Sequence, residues 1–121
     1  MKKTITVSEL LKLAEAAGMK AGLEVCPNPM TLTDIHSGKK YDVAEGGCGF
    51  AWVNISPARG KFVNYLKKLN KGHKSYYGGY DYWVGSTELG QSITRKEAYA
   101  NAFAKVLQEW GIKAYAMSRL D

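Results

Sequence analysis

The chain has 121 residues, 45% of them hydrophobic and 23% charged, which predicts one globular domain over residues 1–121 and excludes a disordered tail. No run approaches the ~20 apolar residues that cross a bilayer, and the charges within residues 7–17 exclude a signal peptide, so we expect a cytoplasmic protein without a membrane partner. The formal net charge of +6 arises entirely between residues 46 and 80, where six Lys or Arg and no Asp or Glu predict a positively charged face and an anionic partner.

The first predicted element is a helix over residues 6–18. Thr6 and Glu9 have the spacing of a capping box, in which each residue satisfies a backbone N–H group of the other. Gly18 suits the C-terminal end, because glycine adopts the left-handed conformation that often terminates a helix.

Three strands are predicted next. Residues 30–35 and 41–44 are expected to form two short strands around a turn that contains His36. Residues 48–55 form the third strand, in which both faces are apolar. A strand of this kind is typical of the centre of a sheet, so we expect it to be covered on both sides.

A basic helix is predicted over residues 57–71, with Ser56 as its N-cap. Its outer side carries Lys61, Lys68 and Lys71 and no acidic residue. A solvated helix usually mixes signs, because pairs of opposite charge four residues apart stabilise it by ~0.2–0.5 kcal/mol each. The lysine side is therefore either solvated surface, favoured near the helix C-terminus by the helix dipole, or a contact surface for an anion.

The last third predicts a strand over residues 80–84, a helix over 95–110 that is capped by Thr94, and a strand over 112–117. The element order is α-β-β-β-α-β-α-β, which predicts an α/β or α+β fold with three helices and a mixed sheet. The crossovers would allow the last three strands to run parallel. A split arrangement with an antiparallel strand inserted fits the same order.

A candidate anion pocket depends on that parallel alternative. If the strands run parallel, the segments that follow them meet at one edge of the sheet, and these segments contain Ser56, Arg59, Thr94, Arg95, Lys96 and Arg119. Helix N-termini and guanidinium groups together suit a phosphate or carboxylate. Otherwise the hydroxyl residues are ordinary caps and the arginines are surface residues.

Tyr76 and Tyr77 are the second group of candidate ligand contacts. They lie in a glycine-flanked loop close to the basic helix, and aromatic rings stack on nucleic-acid bases with ~1–3 kcal/mol per base. The alternative is that these aromatic residues are half-buried with solvated hydroxyl groups.

Cys48 is the one candidate for a nucleophile. It lies between Gly47 and Gly49, and the histidines that could serve as its base are His36 and His73. Neither spacing matches a thiol hydrolase, so we expect a small buried thiol and no catalytic residue. The sequence contains neither C-x-x-C nor H-x-x-H, which argues against a metal site, and no cofactor motif is present.

Four segments carry a resemblance to a known group of proteins. These are residues 48–66 (CGFAWVNISPARGKFVNYL), 76–79 (YYGG), 95–100 (RKEAYA) and 118–121 (SRLD). Together they resemble small bacteriophage-encoded proteins without an established activity, over the last three-quarters of the chain. The resemblance implies a protein made in the cytoplasm of an infected bacterium, where nucleic acids and nucleotide signals are available anions. It implies no role for any residue.

The sequence therefore predicts a non-enzymatic binding module for a phosphate-bearing ligand. A nucleic acid would contact the lysine side of the basic helix and stack on Tyr76 and Tyr77, whereas a small nucleotide would bind Arg59, Arg95 and Arg119. Two alternatives come from other classes: a protein-interaction module that inhibits an acidic host protein, and a thiol enzyme built on Cys48. A homo-oligomer formed through an exposed edge strand or the tyrosine loop is compatible with each.

Overall fold

The computed structural model describes residues 5–25, 30–33, 40–43, 48–85, 89–90 and 92–120. In chain order they form α1 (Val7–Glu24), β1 (Met30–Thr33), β2 (Lys40–Val43), β3 (Gly49–Ser56), α2 (Lys61–Lys68), β4 (His73–Lys74), β5 (Tyr80–Trp83), α3 (Ile93–Glu109) and β6 (Lys113–Leu120). The predicted α+β class and the order of its elements are confirmed, with the two-residue β4 as an addition. Among these residues no helix is both long and apolar enough to cross a bilayer.

The strands form two antiparallel sheets. β1 pairs with β2, and the other four strands form a sheet in the order β4-β5-β3-β6. β3 pairs antiparallel with β5 on one side and with β6 on the other, so the parallel alternative for this part of the chain is not adopted. The turn predicted around His36 lies outside the described residues.

One face of the four-stranded sheet, the covered face, carries the core. Ala51, Val53 and Ile55 of β3 point to this face and are buried. They belong to one hydrophobic cluster with residues of all three helices, including Leu10, Phe62, Leu66, Phe103 and Leu107. The described helices therefore pack on the same side of the sheet. The prediction that β3 is covered on both sides is wrong, since Phe50 and Trp52 on its other face are only half-buried.

α1 begins as predicted and ends later. Glu9 N donates to Thr6 Oγ1 at 3.1 Å, which confirms Thr6 as the N-cap. The helix continues through Gly18 to Glu24. A Cβ atom at Gly18 would lie 2.9 Å from the Tyr99 ring, and one at Gly22 would lie 2.7 Å from Leu89. These glycines therefore allow close packing of α1 on its neighbours, and Gly18 does not terminate the helix.

The predicted caps of the other two helices are wrong. Ser56 is the last residue of β3, where it pairs with Lys113, so α2 starts only at Lys61 after a turn. In α3 the cap is Ser92, whose Oγ accepts from Arg95 N at 3.3 Å, and this places Thr94 inside the first turn. The pairing with β6 draws Ser56 into the sheet, and a second hydroxyl residue was available two positions before Thr94.

Candidate functional site

The second face of the four-stranded sheet is the candidate site, and we call it the open face. Strand alternation places on it Phe50, Trp52 and Asn54 of β3, Asp81 and Trp83 of β5, and Tyr115, Met117 and Arg119 of β6. The side chains of Tyr115 and Met117 are exposed, and those of the two tryptophans are half-buried. Large apolar groups thus face solvent on a surface that no described helix covers.

Aromatic rings form a continuous row across the open face. The rings of Trp52 and Trp83 stack at 4.7 Å with an interplanar angle of 22°. His73 continues the row at 6.1 Å from Trp83, and Trp83 Nε1 donates to His73 Nε2 at 3.3 Å. Phe50 meets Trp83 edge-on at 5.9 Å. Three neighbouring strands therefore contribute to one aromatic surface.

The loop from β4 to β5 adds two more rings. Tyr76 and Tyr77 are 94% and 93% exposed and meet edge-to-face at 5.1 Å. Asn54 Nδ2 donates to the carbonyl oxygen of Gly78 at 3.0 Å, which ties this loop to the sheet. Gly79, with φ of 78°, lies so close to the Ile55 carbonyl that a Cβ atom would be 2.8 Å from it. The loop is therefore held at the border of the open face.

Together these residues line a groove of about 570 Å³. Its lining consists of Trp52, Asn54, His73, Ser75, Tyr76, Tyr77, Gly78, Asp81, Trp83, Tyr115, Met117 and Arg119. The groove extends across all four strands of the sheet, so it is suited to an extended ligand.

A polar pair lies between the rings of the groove. Asn54 Nδ2 donates to Asp81 Oδ1 at 2.8 Å, and Asp81 is only 7% exposed. Asp81 is the one acidic residue among the described lining residues. The amide of Asn54 therefore satisfies one oxygen of this largely buried carboxyl group and fixes its position in the lining.

Two cations flank Phe50 at one end of the open face. Arg119 Cζ lies 5.4 Å and Lys96 Nζ 5.5 Å from the centre of the Phe50 ring, within range of a cation–π attraction. Lys96 is 7% exposed, and its ammonium group donates to the Gly49 carbonyl at 3.0 Å. Lys96 thus satisfies buried backbone, whereas Arg119 is exposed and lines the groove.

The predicted arginine pocket is not formed. Because β3 runs antiparallel to both neighbours, Arg59 follows one end of β3 while Arg119 pairs with Phe50 at the other end. Arg95 Nη1 donates to the carbonyl oxygens of Gly22 at 3.0 Å and Leu23 at 3.1 Å. Arg95 therefore caps the C-terminal end of α1, which is a structural role.

The lysine side of α2 is separate from the open face. Phe62, Val63 and Leu66 bury α2 in the core cluster on the covered side of the sheet. Lys61 and Lys68 are exposed on this helix, and Lys71, beyond its end, lies 3.7 Å from Glu15 Oε2 as an ion pair. The lysines and the tyrosine loop were predicted to share one ligand, and the structure puts them on different sides of the sheet.

Trp52, Trp83 and Tyr115 were not predicted from the sequence as candidate contacts. A signal for them exists in β6, where Tyr115, Met117 and Arg119 alternate with Ala114, Ala116 and Ser118. Helices approach a sheet closely over small side chains, so the face with the small residues is the one that α3 covers, and Ala114 is fully buried. Size alternation, read together in β3 and β6, would have identified the open face.

Cys48 is an exposed free thiol, so the prediction that it is buried is wrong. It lies just before β3 and outside the core cluster, and its backbone forms an isolated antiparallel β-bridge with that of Ser92. The described residues include no group of three or more His, Cys, Asp or Glu side chains that could hold a metal ion. Comparisons with protein-family models, curated protein sequences and solved structures found no match to this chain.

Proposed function

We propose that the protein binds single-stranded nucleic acid on the open face of its four-stranded sheet and catalyses no reaction. The observation that carries this proposal is the groove in which the stacked Trp52 and Trp83, the exposed Tyr76 and Tyr77, and Arg119 come together. Unpaired bases stack on aromatic side chains with ~1–3 kcal/mol each, and arginine contributes both stacking and charge.

A single strand fits this groove better than a duplex or a free nucleotide does. The bases of a duplex are paired and stacked on each other, so they cannot stack on the rings of a sheet surface. A free nucleotide offers one base, whereas the rings of the open face extend over β3, β5 and β6 and the adjoining loop. A chain of bases therefore uses more of this surface.

The lysines of α2 contribute at long range. Lys61 and Lys68 lie on the covered side, so they do not contact a strand in the groove. The net charge of +6 nevertheless attracts a polyanion and raises its rate of encounter with the protein. Arg119 and His73 are the described basic residues that line the groove. We therefore expect stacking to supply most of the affinity and phosphate contacts a smaller part.

The resemblance to bacteriophage-encoded proteins supports a role in the cytoplasm of an infected bacterium. Single strands of RNA or DNA are present there during transcription and replication. Stacking on aromatic rings accepts every base, so we expect broad tolerance of sequence.

Titration with short single-stranded oligonucleotides tests this proposal. Binding is expected to quench the tryptophan fluorescence, and Trp52→Ala is expected to weaken binding. Trp110→Ala is the matched control, because Trp110 is partly exposed at the end of α3, away from the open face. If the wild-type protein shows no binding at low salt, or if Trp52→Ala and Trp110→Ala bind alike, the proposal is wrong.

A second candidate function is docking of a host protein on the same face. The exposure of Tyr115 and Met117 favours it, because exposed apolar patches of this kind also mark protein interfaces. Affinity purification from nuclease-treated bacterial lysate separates the two. A stoichiometric protein partner that is lost with Trp52→Ala supports docking, and recovery of nucleic acid alone from untreated lysate supports the first proposal.

A further inference from the structure

β6 is the outermost strand of the four-stranded sheet. Along one edge it pairs with β3 over its whole length, Lys113–Leu120. Along the other edge no described strand pairs with it. Proteins usually protect an edge of this length with a proline, with a bulge or by covering it. β6 contains no proline, and its pairing with β3 is regular.

Hydrogen bonds show which backbone groups of β6 point to the free edge. Val84 N donates to Ala51 O at 3.0 Å, so the backbone groups of Ala51 point towards β5. Backbone groups alternate along a strand, so those of Phe50, Trp52 and Asn54 point towards β6 and bond there. Their partners in β6 are Arg119, Met117 and Tyr115, so the backbone groups of these three residues point inwards to β3.

Lys113, which pairs with Ser56, follows the same alternation and also points its backbone groups inwards. The residues of β6 whose backbone groups point outwards are therefore Ala114, Ala116, Ser118 and Leu120. An independent contact agrees with this assignment, because the Ala114 carbonyl accepts from the side chain of Gln108, Nε2 to O at 2.6 Å, instead of from the ladder. The outward groups of Ala116 and Ser118 have no such partner among the hydrogen bonds of the described residues. They form a regular row of donors and acceptors in the middle of the free edge.

We propose that two copies of this chain pair through β6, antiparallel and about a two-fold axis, to form one continuous eight-stranded sheet. This proposal does not depend on the proposed function. The occupant is a second copy, because the sequence of β6 complements itself in one register.

The register follows from the faces of the strand. Directly opposite residues of an antiparallel pair lie on the same face, so the axis must pass through a residue of β6 and not between two residues. With the axis at Ala116, Lys113 would lie opposite the second copy's Arg119, which is a repulsive pair. With the axis at Met117, Tyr115 lies opposite the second copy's Arg119, and Met117 meets Met117. Of these two registers, the second pairs cations with rings and apolar groups with each other, so it is the favoured one of the two.

The same register also satisfies the backbone. It places Ala116 opposite the second copy's Ser118, and both residues point outwards, so each such pair exchanges two hydrogen bonds. On the covered face the side chains at this edge are small, Ala114, Ala116 and Ser118, which leaves room for the second copy to approach. On the open face the two grooves adjoin, with a Tyr115–Arg119 pair on each side of the axis.

Disulfide trapping tests the register. In a protein with Cys26→Ser and Cys48→Ser, Met117→Cys is expected to form a covalent dimer on mild oxidation, because facing residues at the axis have Cα atoms within the ~4.4–6.8 Å that a disulfide requires. Ala116→Cys is the matched control, since in this register its two Cα atoms lie more than ~7 Å apart. Equal cross-linking of the two variants, or faster cross-linking of Ala116→Cys, would contradict the register.

Sedimentation velocity on nuclease-treated protein tests the dimer itself. The wild type is expected to shift from monomer to dimer as its concentration rises. Ser118→Pro removes an outward N–H group and is expected to abolish the shift, whereas Ser118→Ala keeps the N–H group and the dimer. Circular dichroism confirms that each variant is folded. A folded wild-type protein that stays monomeric at every concentration overturns the proposal.

Discussion

The side chains on the two faces of β3 differ in size more than in hydrophobicity. Ala51, Val53 and Ile55 lie under the helices, while Phe50 and Trp52 on the opposite face are larger and only half-buried. Both sets are apolar, so hydrophobicity alone does not decide which face is covered. Small side chains let a helix approach, and large rings form a surface by themselves. The partly exposed rings on this surface are the basis of the proposed binding function.

The largest expected effect is on the free energy of unfolding, which should differ between variants of the covered face and of the open face. Phe103 is fully buried on the covered side and stacks on Tyr82 at 4.6 Å. Phe103→Ala is expected to lower the free energy of unfolding by ~3–5 kcal/mol, because it removes a large side chain from a packed core. Trp52→Ala on the open face should cost clearly less. Urea unfolding of both variants measures the difference, and equal losses would mean that the open face is part of the core.

Substitutions in the tyrosine loop are expected to change ligand affinity and not stability. Tyr76 and Tyr77 are almost wholly exposed, so their joint replacement by alanine is expected to leave the unfolding midpoint nearly unchanged. If each ring stacks on a base with at least ~1 kcal/mol, affinity for single-stranded nucleic acid should fall at least about 30-fold, the equivalent of ~2 kcal/mol. Fluorescence anisotropy with a labelled oligonucleotide measures it. Unchanged affinity would remove the loop from the site.

These two contrasts also mark what the sequence could predict. Thr6 caps α1 as expected because capping depends on residues three positions apart. The arginine pocket failed because strand direction depends on pairing between distant segments, and antiparallel pairing separates Arg59 from Arg119. The end of α1 was missed for a similar reason, since the fit of Gly18 against Tyr99 involves a residue far along the chain.

The covered face also contains buried tyrosines whose titration affects stability. Burial raises the pKa of Tyr99 to about 12, and it raises the pKa of Tyr82 further, with nearby Tyr99 and Glu15 adding to the effect. The native state then holds these protons more tightly than the unfolded chain does. Stability should therefore be unaffected below about pH 10 and fall above it.

Urea unfolding at pH 8 and at about pH 11 measures this dependence. Tyr99→Phe is expected to reduce the alkaline loss by about 1 kcal/mol, because phenylalanine has no proton to release. The exposed Tyr76→Phe is the matched control and should leave the loss unchanged. If Tyr99→Phe has the same alkaline loss as the wild type, Tyr99 is not protected from titration in the folded protein.

The smallest effect concerns the cations on the two sides. Arg119 lines the groove, so Arg119→Ala should reduce the slope of log affinity against log salt by ~0.7 if it neutralises one phosphate of a single strand. Lys68→Ala, on the side of α2, should leave the slope unchanged. Titrations at several salt concentrations provide both slopes. If Lys68→Ala reduces the slope and Arg119→Ala does not, the ligand binds the lysine side of α2 and not the groove.

The glycines of α1 have a consequence for how the sequence of this helix can change. With Gly18 against the Tyr99 ring and Gly22 against Leu89, a Cβ atom at either position would lie within 3 Å of its neighbour. A larger residue there forces the neighbouring side chain or α1 itself to move, whereas the exposed positions of α1 have no such size limit. The two glycines therefore divide α1 into positions that tolerate substitution and positions that do not.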